Sequence, residues 1–211
     1  MNSDPWHGRT RMRIVISEFI SLDGVVQAPG GAEEDTDGGF QHGGWSMPYF
    51  DPEIMGGFIG GAMEHTDAIL QGARTWRVMA AAWPERTGDD DPFTDWMNSV
   101  PKYVVSDSLT EDDVTRWSPT TIIRRDELAQ KVNELRAQPG GDVNIMGSAS
   151  VARALIANDL VDELDLMIEP IVLGGGKSIY AADGIVRRFR LESVTQATTG
   201  VLCCRYLPQD A

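Results

Sequence analysis

The chain has 211 residues, enough for one domain with a full core, and 32 Asp and Glu against 18 Lys and Arg leave it a formal charge of -14. That charge repels polyanions, and no basic patch offsets it, so no nucleic-acid partner is expected. The sequence contains no apolar run of membrane-spanning length, and residues 1 to 12 (MNSDPWHGRTRM) lack the apolar segment of a signal peptide.

In chain order, residues 1 to 12 read as a disordered extension, and 13 to 211 as one domain. Arg13 to Ile20 (RIVISEFI) is a β-branched strand ending at the turn Ser21-Leu22-Asp23-Gly24. A glycine-rich loop runs from Gln27 to Tyr49, and an aperiodic loop this long marks the first place to look for a substrate. Asp51-Pro52 opens a helix, with Pro52 suited to its first turn, in which the Gly56-Gly57 and Gly60-Gly61 pairs predict close packing. Asp67 to Gln71 is a short strand. Trp76, Met79, Ala80 and Trp83 then form one helix face, ended by Pro84.

Lys102 to Ser106 and Thr120 to Arg124 are strands, and Asp126 to Ala137 is a helix stopped by Pro139-Gly140-Gly141. After the strand Val143 to Met146, the turn Gly147-Ser148-Ala149-Ser150 opens a helix, with Ser148 or Ser150 as its cap. Glu163 to Val172, Phe189 to Thr195 and Gly200 to Leu207 are strands without a helix between them long enough for a parallel crossover, so they pair largely antiparallel. Strand and helix otherwise alternate, which makes the domain α/β with a mixed sheet.

No metal site is expected. His7, His42 and His65 lack paired ligand spacing, and the acidic clusters Glu33 to Asp35, Asp89 to Asp91 and Glu111 to Asp113 read as solvated loops. The adjacent Cys203 and Cys204 point to opposite faces of a strand and do not pair, which fits a reduced, cytoplasmic setting. No nucleophile with an attendant base is evident.

Two junctions could face a phosphate. Gly147 to Ser150 is either a ring of N–H donors at a helix N-terminus or an ordinary tight turn, and Arg74 is either a phosphate contact or a surface arginine. Ile171 to Tyr180 (IVLGGGKSIY) has Ile171 where a triphosphate loop needs glycine, so nucleotide-triphosphate hydrolysis is not expected. Phosphate-facing turns without a nucleophile suit a reaction whose chemistry a cofactor carries.

The segments Ser21 to Gly31, Gly38 to Trp45, Tyr49-Phe50-Asp51, Gly72 to Trp76, Lys102 to Ser106, Gly147-Ser148, Leu160 to Glu163 and Pro170 to Lys177 resemble, in order, the dihydrofolate-reductase-like family. More narrowly, they resemble stand-alone relatives of the C-terminal reductase domain of the bifunctional riboflavin-biosynthesis deaminase-reductase. The resemblance implies a three-layer α/β/α fold with a mostly parallel sheet, NADPH as hydride donor, a homodimer, and by default 5-amino-6-(5-phosphoribosylamino)uracil reductase activity.

It also implies where ligands lie. The nicotinamide would sit near Leu22, Asp23, Gly24 and Trp45. Gly72, Ala73, Arg74 and Thr75, with Ser106, Asp107 and Ser108, would border the adenosine phosphates, and Gly147, Ser148, Ala149, Ser150 and Val151 would cradle the pyrophosphate. The substrate would meet Trp45, Tyr49 and Lys177, although Lys177 is alternatively a solvent residue. Glu18 is a candidate acid if it faces the cleft and a solvent-facing strand residue otherwise, while Asp23 is either an acid or a turn-former.

Three positions depart from the family pattern. Ala73 and Asp107 stand where relatives carry arginines, which predicts weakened NADPH preference and makes NADH a possible donor. Ile145 replaces a glutamate that holds the aminopyrimidine. Asp51, Glu53 and Glu64 surround the helix that carries the folate-binding carboxylate, and spacing singles out none of them. The alternative function is a non-catalytic, nucleotide-binding family member.

Overall fold

The computed structural model describes residues 11–86 and 92–209. Residues 1 to 10 of the expected extension, with His7, and the cluster Asp89 to Asp91 lie outside the described residues. Met12, assigned to the extension, is buried in the main core, and its N–H donates to the Gln138 carbonyl at 2.9 Å.

Eight strands form one sheet in the order β4-β3-β2-β5-β1-β6-β8-β7. They are β1 (Arg13–Ser21), β2 (Thr66–Gly72), β3 (Lys102–Val105), β4 (Thr120–Ile123), β5 (Asp142–Met146), β6 (Glu163–Glu169), β7 (Phe189–Gln196) and β8 (Leu202–Pro208). β1 to β6 pair in parallel, whereas β8 pairs antiparallel with β6 on one side and with β7 on the other. The helices are α1 (Ile54–Met63), α2 (Ala73–Ala82), α3 (Pro92–Ser99), α4 (Glu111–Val114), α5 (Leu128–Arg136) and α6 (Ala149–Ala157).

The alternation of side chains along each strand decides the layers. Ile14, Ile16, Val143, Ile145, Leu164 and Leu166 pack in one core with Val132 and Leu135 of α5 and Val151 and Leu155 of α6. On the opposite face, Ile69 and Val104 pack with Trp76 and Ala80 of α2, and Met167 and Cys203 pack with Met55 of α1. The result is the expected α/β/α sandwich with an antiparallel C-terminal part. Both cysteines are free, with Cys203 in the α1 core.

Four expectations need correction. The α1 glycines do not mediate close packing, because a Cβ at Gly56, Gly57, Gly60 or Gly61 would meet nothing within 4 Å. Gly57→Ala is therefore expected to raise stability by about 0.5–1 kcal/mol, since it gains helix propensity without a clash; urea unfolding checks this. Glu111 to Asp113 are not loop but the first turn of α4, where Thr110 and Asp113 form a reciprocal capping box. Neither serine caps α6 as expected: Ser148 stands at the N-cap in the left-handed region without a side-chain cap bond. The strand expected from Glu163 to Val172 ends at Glu169, and beyond it Val25 and Ser178 form only an isolated antiparallel bridge.

Candidate functional site

The parallel strands end on one side of the sheet, where ligands collect in α/β folds. β1 and β5 pair only as far as Ser17 and Met146, whereas β1 continues beside β6 to Ser21 and Glu169. Glu18 is thus the first β1 residue without a β5 neighbour. A cavity of about 900 Å³ opens at this divergence and runs between α1 and α2 and over the N-terminus of α6.

One end of the cavity is built from two glycine turns. Gly147 has φ +68°, and a Cβ there would meet Thr75 Cγ2 at 3.2 Å, so glycine lets the β5 turn approach α2. Ser148 is also left-handed, at φ +75°, a strained conformation that its hydroxyl helps fix by accepting from Gly72 N–H at 2.8 Å. That bond ties the ends of β2 and β5 into one rim. The first amides of α6 face this rim with the helix dipole behind them, a ready anion site. Gly72, Arg74, Thr75, Gly147, Ser148, Ala149, Ser150 and Val151 all line the cavity.

The same rim carries Arg77 and Arg125, which no motif marks. Arg77, Ser108 and Arg125 line the cavity beside Val105, and Arg77 donates to Ser108 Oγ at 3.4 Å. Asp107 is not unpaired: its carboxylate lies 3.4 Å from Arg125 Nε and also accepts the Arg125 backbone N–H. Ser106 is buried away from the cavity, where its Oγ accepts from the N–H groups of Ser108 and Leu109.

Glu18 lines the cavity with only 3 % of its surface exposed, and its Oε1 has no partner. Burial, and secondarily the charge of Glu34, pushes its carboxyl well above the ordinary carboxylate range, so it holds a proton where an exposed glutamate would not. A second buried carboxyl, Glu169, accepts from Ser46 Oγ at 2.5 Å behind the cavity wall, and burial raises it to about 7. Nothing in sequence spacing marked Glu169, because only the β1–β6 register brings it to this end of the sheet.

The long loop covers the cavity and is pinned by charge. Asp35 and Asp37 receive both Arg74 and Lys177, with Lys177 Nζ at 2.6 and 2.9 Å and Arg74 Nη1 at 2.9 Å from Asp37. Lys177 therefore lines the cavity, paired with carboxylates instead of standing in solvent.

Other expected residues lie outside the lining. Leu22 is exposed, and Gly24 completes its turn at φ +81°. Asp23 accepts from the Leu173 and Gly174 N–H groups and anchors the glycine loop; the Ser21 hydroxyl holds its carboxyl below the ordinary range, ionised, as a turn-former requires. Trp45 is buried, its indole N–H donating to the Gln27 carbonyl at 2.7 Å, so it braces the loop. The Tyr49 carbonyl accepts from Thr199, and its ring packs beside the α1 core.

The carboxylates around α1 are likewise elsewhere. Asp51 caps α1 and accepts from Thr198, bonds that bring it to about 2. Glu53 is exposed, and Glu64 lines a second, smaller cavity with Glu163, Asp165 and Arg205. Ile145 is fully buried in the core and does not reach the ligand cavity. Among the described residues no helix is long and apolar enough to cross a membrane, and no group of His, Cys, Asp and Glu could hold a metal.

The chain is similar to several known proteins. Residues 13–203 match the RibD C-terminal domain family. The Bacillus subtilis (strain 168) protein YyaP, itself uncharacterized, is 28% identical over 188 residues, 88% of each chain. A riboflavin-biosynthesis candidate protein of Shewanella sp. PV-4 superposes with a TM-score of 0.71 at 18% identity, covering 94% of this chain and all of that one. Dihydrofolate reductase of Enterococcus faecalis superposes with a TM-score of 0.55 at 13% identity, covering 94% of this chain and 97% of that one. These structural likenesses carry the fold, which is that of dihydrofolate reductase. The chain belongs to the RibD C-terminal domain family, a family of reductases.

Proposed function

We propose that this chain is an NADPH-dependent reductase of a small heterocycle and that Glu18 delivers the proton. The observation that carries the reading is a buried carboxyl with an unpartnered oxygen on the cavity wall, in the same cavity as a glycine-built anion rim. The residues fit a dinucleotide: the α6 N-terminus and the Gly72 turn would hold the pyrophosphate, and Arg77, Ser108 and Arg125 would hold the 2′-phosphate. When bound, the dihydronicotinamide supplies a hydride, and the protein supplies orientation. Glu18 then holds the proton that a reduced C=N or C=O group requires, and the loop from Gln27 to Tyr49 excludes water.

Arg77 and Arg125 bear on the donor. Ala73 and Asp107 pointed toward NADH or a non-catalytic nucleotide binder, but these two arginines restore cations at the rim, which supports NADPH and a working enzyme. Arg125→Ala is expected to weaken NADPH binding about tenfold, near 1.4 kcal/mol, and to leave NADH binding almost unchanged. Parallel titrations of both nucleotides onto the wild type and the variant test this. Equal losses for the two nucleotides would move the 2′-phosphate site elsewhere.

The homodimer reading is supported by the sheet edge. β7 is exposed along nearly its whole length, and Leu191, Val194 and Leu202 present half-open apolar side chains on one face of the β7–β8 pair. An apolar face beside an open edge strand suits a second copy of the chain. Sedimentation is expected to show a dimer that Val194→Arg converts to monomer, and a wild-type monomer would end this part of the reading.

A further inference from the structure

The cavity divides its charges unevenly. At the nucleotide rim Arg77 and Arg125 stand against the single carboxylate of Asp107, which pairs with Arg125 and leaves a net positive charge, while Arg74 and Lys177 are matched one for one by Asp35 and Asp37. The remaining ionisable lining groups are carboxyls: Glu18, whose neutral form burial favours, and Glu34, whose carboxylate caps the N–H groups of Gly30 and Gly31. The wall of the α1 half carries no ionisable side chain. Its helix reads IMGGFIGGAM, and its wall is Phe58, Ile59 and Met63 of α1 with Phe19 and Met167 of the sheet.

Beneath that apolar wall the floor is polar and unmet. Asn144 is 3 % exposed, its amide N donates to Thr66 Oγ1 at a long 3.5 Å, and its Oδ1 has no partner. Ser17 Oγ is also buried without a partner. Val15 pairs with Asn144 in the β1–β5 register, so Ser17 lies on the same face, one repeat further along. Both residues line the cavity. An amide acceptor and a hydroxyl side by side match a ligand edge that offers an N–H and a C=O group, as a cyclic amide does.

Resting on the reductase reading above, we infer that the substrate is an uncharged, planar, largely apolar heterocycle with an amide-type edge, and that it carries no phosphate. A phosphate in the α1 half would meet Glu34 and an apolar wall without a free cation to receive it. The amide edge would bond Asn144 and Ser17, and the ring would lie between α1 and α2.

The test is a fluorescence titration of the full chain saturated with NADP+, using lumichrome, riboflavin and FMN. Lumichrome is a neutral ring with an imide edge, and riboflavin and FMN differ only in the terminal phosphate. Lumichrome is expected to bind at least tenfold tighter than FMN, and riboflavin tighter than FMN. Asn144→Leu should weaken lumichrome at least tenfold with the NADP+ affinity retained. Ile59→Arg should shift the preference toward FMN, which keeps the inference testable if Asn144→Leu does not fold. FMN binding as tightly as lumichrome, or Asn144→Leu and Ile59→Arg both without effect, would overturn the inference. Loss of NADP+ binding alone would instead count against the reductase reading, and the same probes titrated without nucleotide would still decide the substrate class.

Discussion

Replacing Glu18 by glutamine is expected to lower the rate of NADPH oxidation by about a hundredfold or more, the scale of a lost general acid, while making the fold more stable at alkaline pH. The amide keeps the shape of the side chain but cannot give up a proton. The stability effect follows from linkage. Because the folded-state pKa of Glu18 lies above the ordinary value of 4.5, its contribution is present in full below the ordinary carboxylate range. It is lost as pH rises toward the raised value, where the folded chain must carry a buried charge. Glutamine carries none, so its advantage in melting temperature should grow with pH and then level off. Thermal melts of both proteins from acidic to alkaline pH, with parallel rate measurements, check the two effects together. A variant that loses activity but shows no alkaline gain in stability would mean that Glu18 is solvated.

Ser150→Asp should also separate stability from function. Ser150 occupies the second position of α6 and lines the cavity. A carboxylate in a first helical turn complements the dipole and is worth about 0.3–1 kcal/mol to the fold. The same carboxylate would stand at the α6 N-terminus, where the proposed pyrophosphate site lies. Dinucleotide affinity is therefore expected to fall by about a hundredfold, close to 2.7 kcal/mol, with an unchanged or higher melting temperature. Calorimetric titration beside a thermal melt measures both.

These two residues show which parts of the site the sequence made legible. The Gly147-Ser148-Ala149-Ser150 turn stood out because glycine between a strand and a helix has a local physical meaning, and it lines the cavity. Glu18 was only one of two possibilities, since a strand residue's exposure depends on where the neighbouring strand stops. Ser17 and Met146 end that pairing, and no local pattern records it.

The cations at the rim were illegible for a related reason. Arg77 comes from α2 and Arg125 follows β4, so they converge on Ser108, after β3, only when those elements are placed side by side. Reading Asp107 in isolation made it an obstacle to NADPH, whereas the structure pairs it with Arg125. Trp45 and Ser106 show the reverse case. Both stand at positions that the resemblance assigned to the cofactor, yet each turns its polar atom inward to hold a loop or a strand end.

The strands were readable from β-branched runs, and α5 and α6 from their apolar periodicity. α3 was missed. Its sequence, PFTDWMNS, is short and sits beside an acidic run that masks its start. α4 was missed because three carboxylates in its first turn resemble a solvated loop unless the Thr110 capping box is noticed.

Calorimetric titration of NADPH onto the full wild-type chain and the Ser150→Asp variant decides whether the α6 N-terminus holds a dinucleotide. One site per chain is expected, with a loss of about a hundredfold in the variant. No binding to the wild type, or equal binding to both proteins, would contradict it.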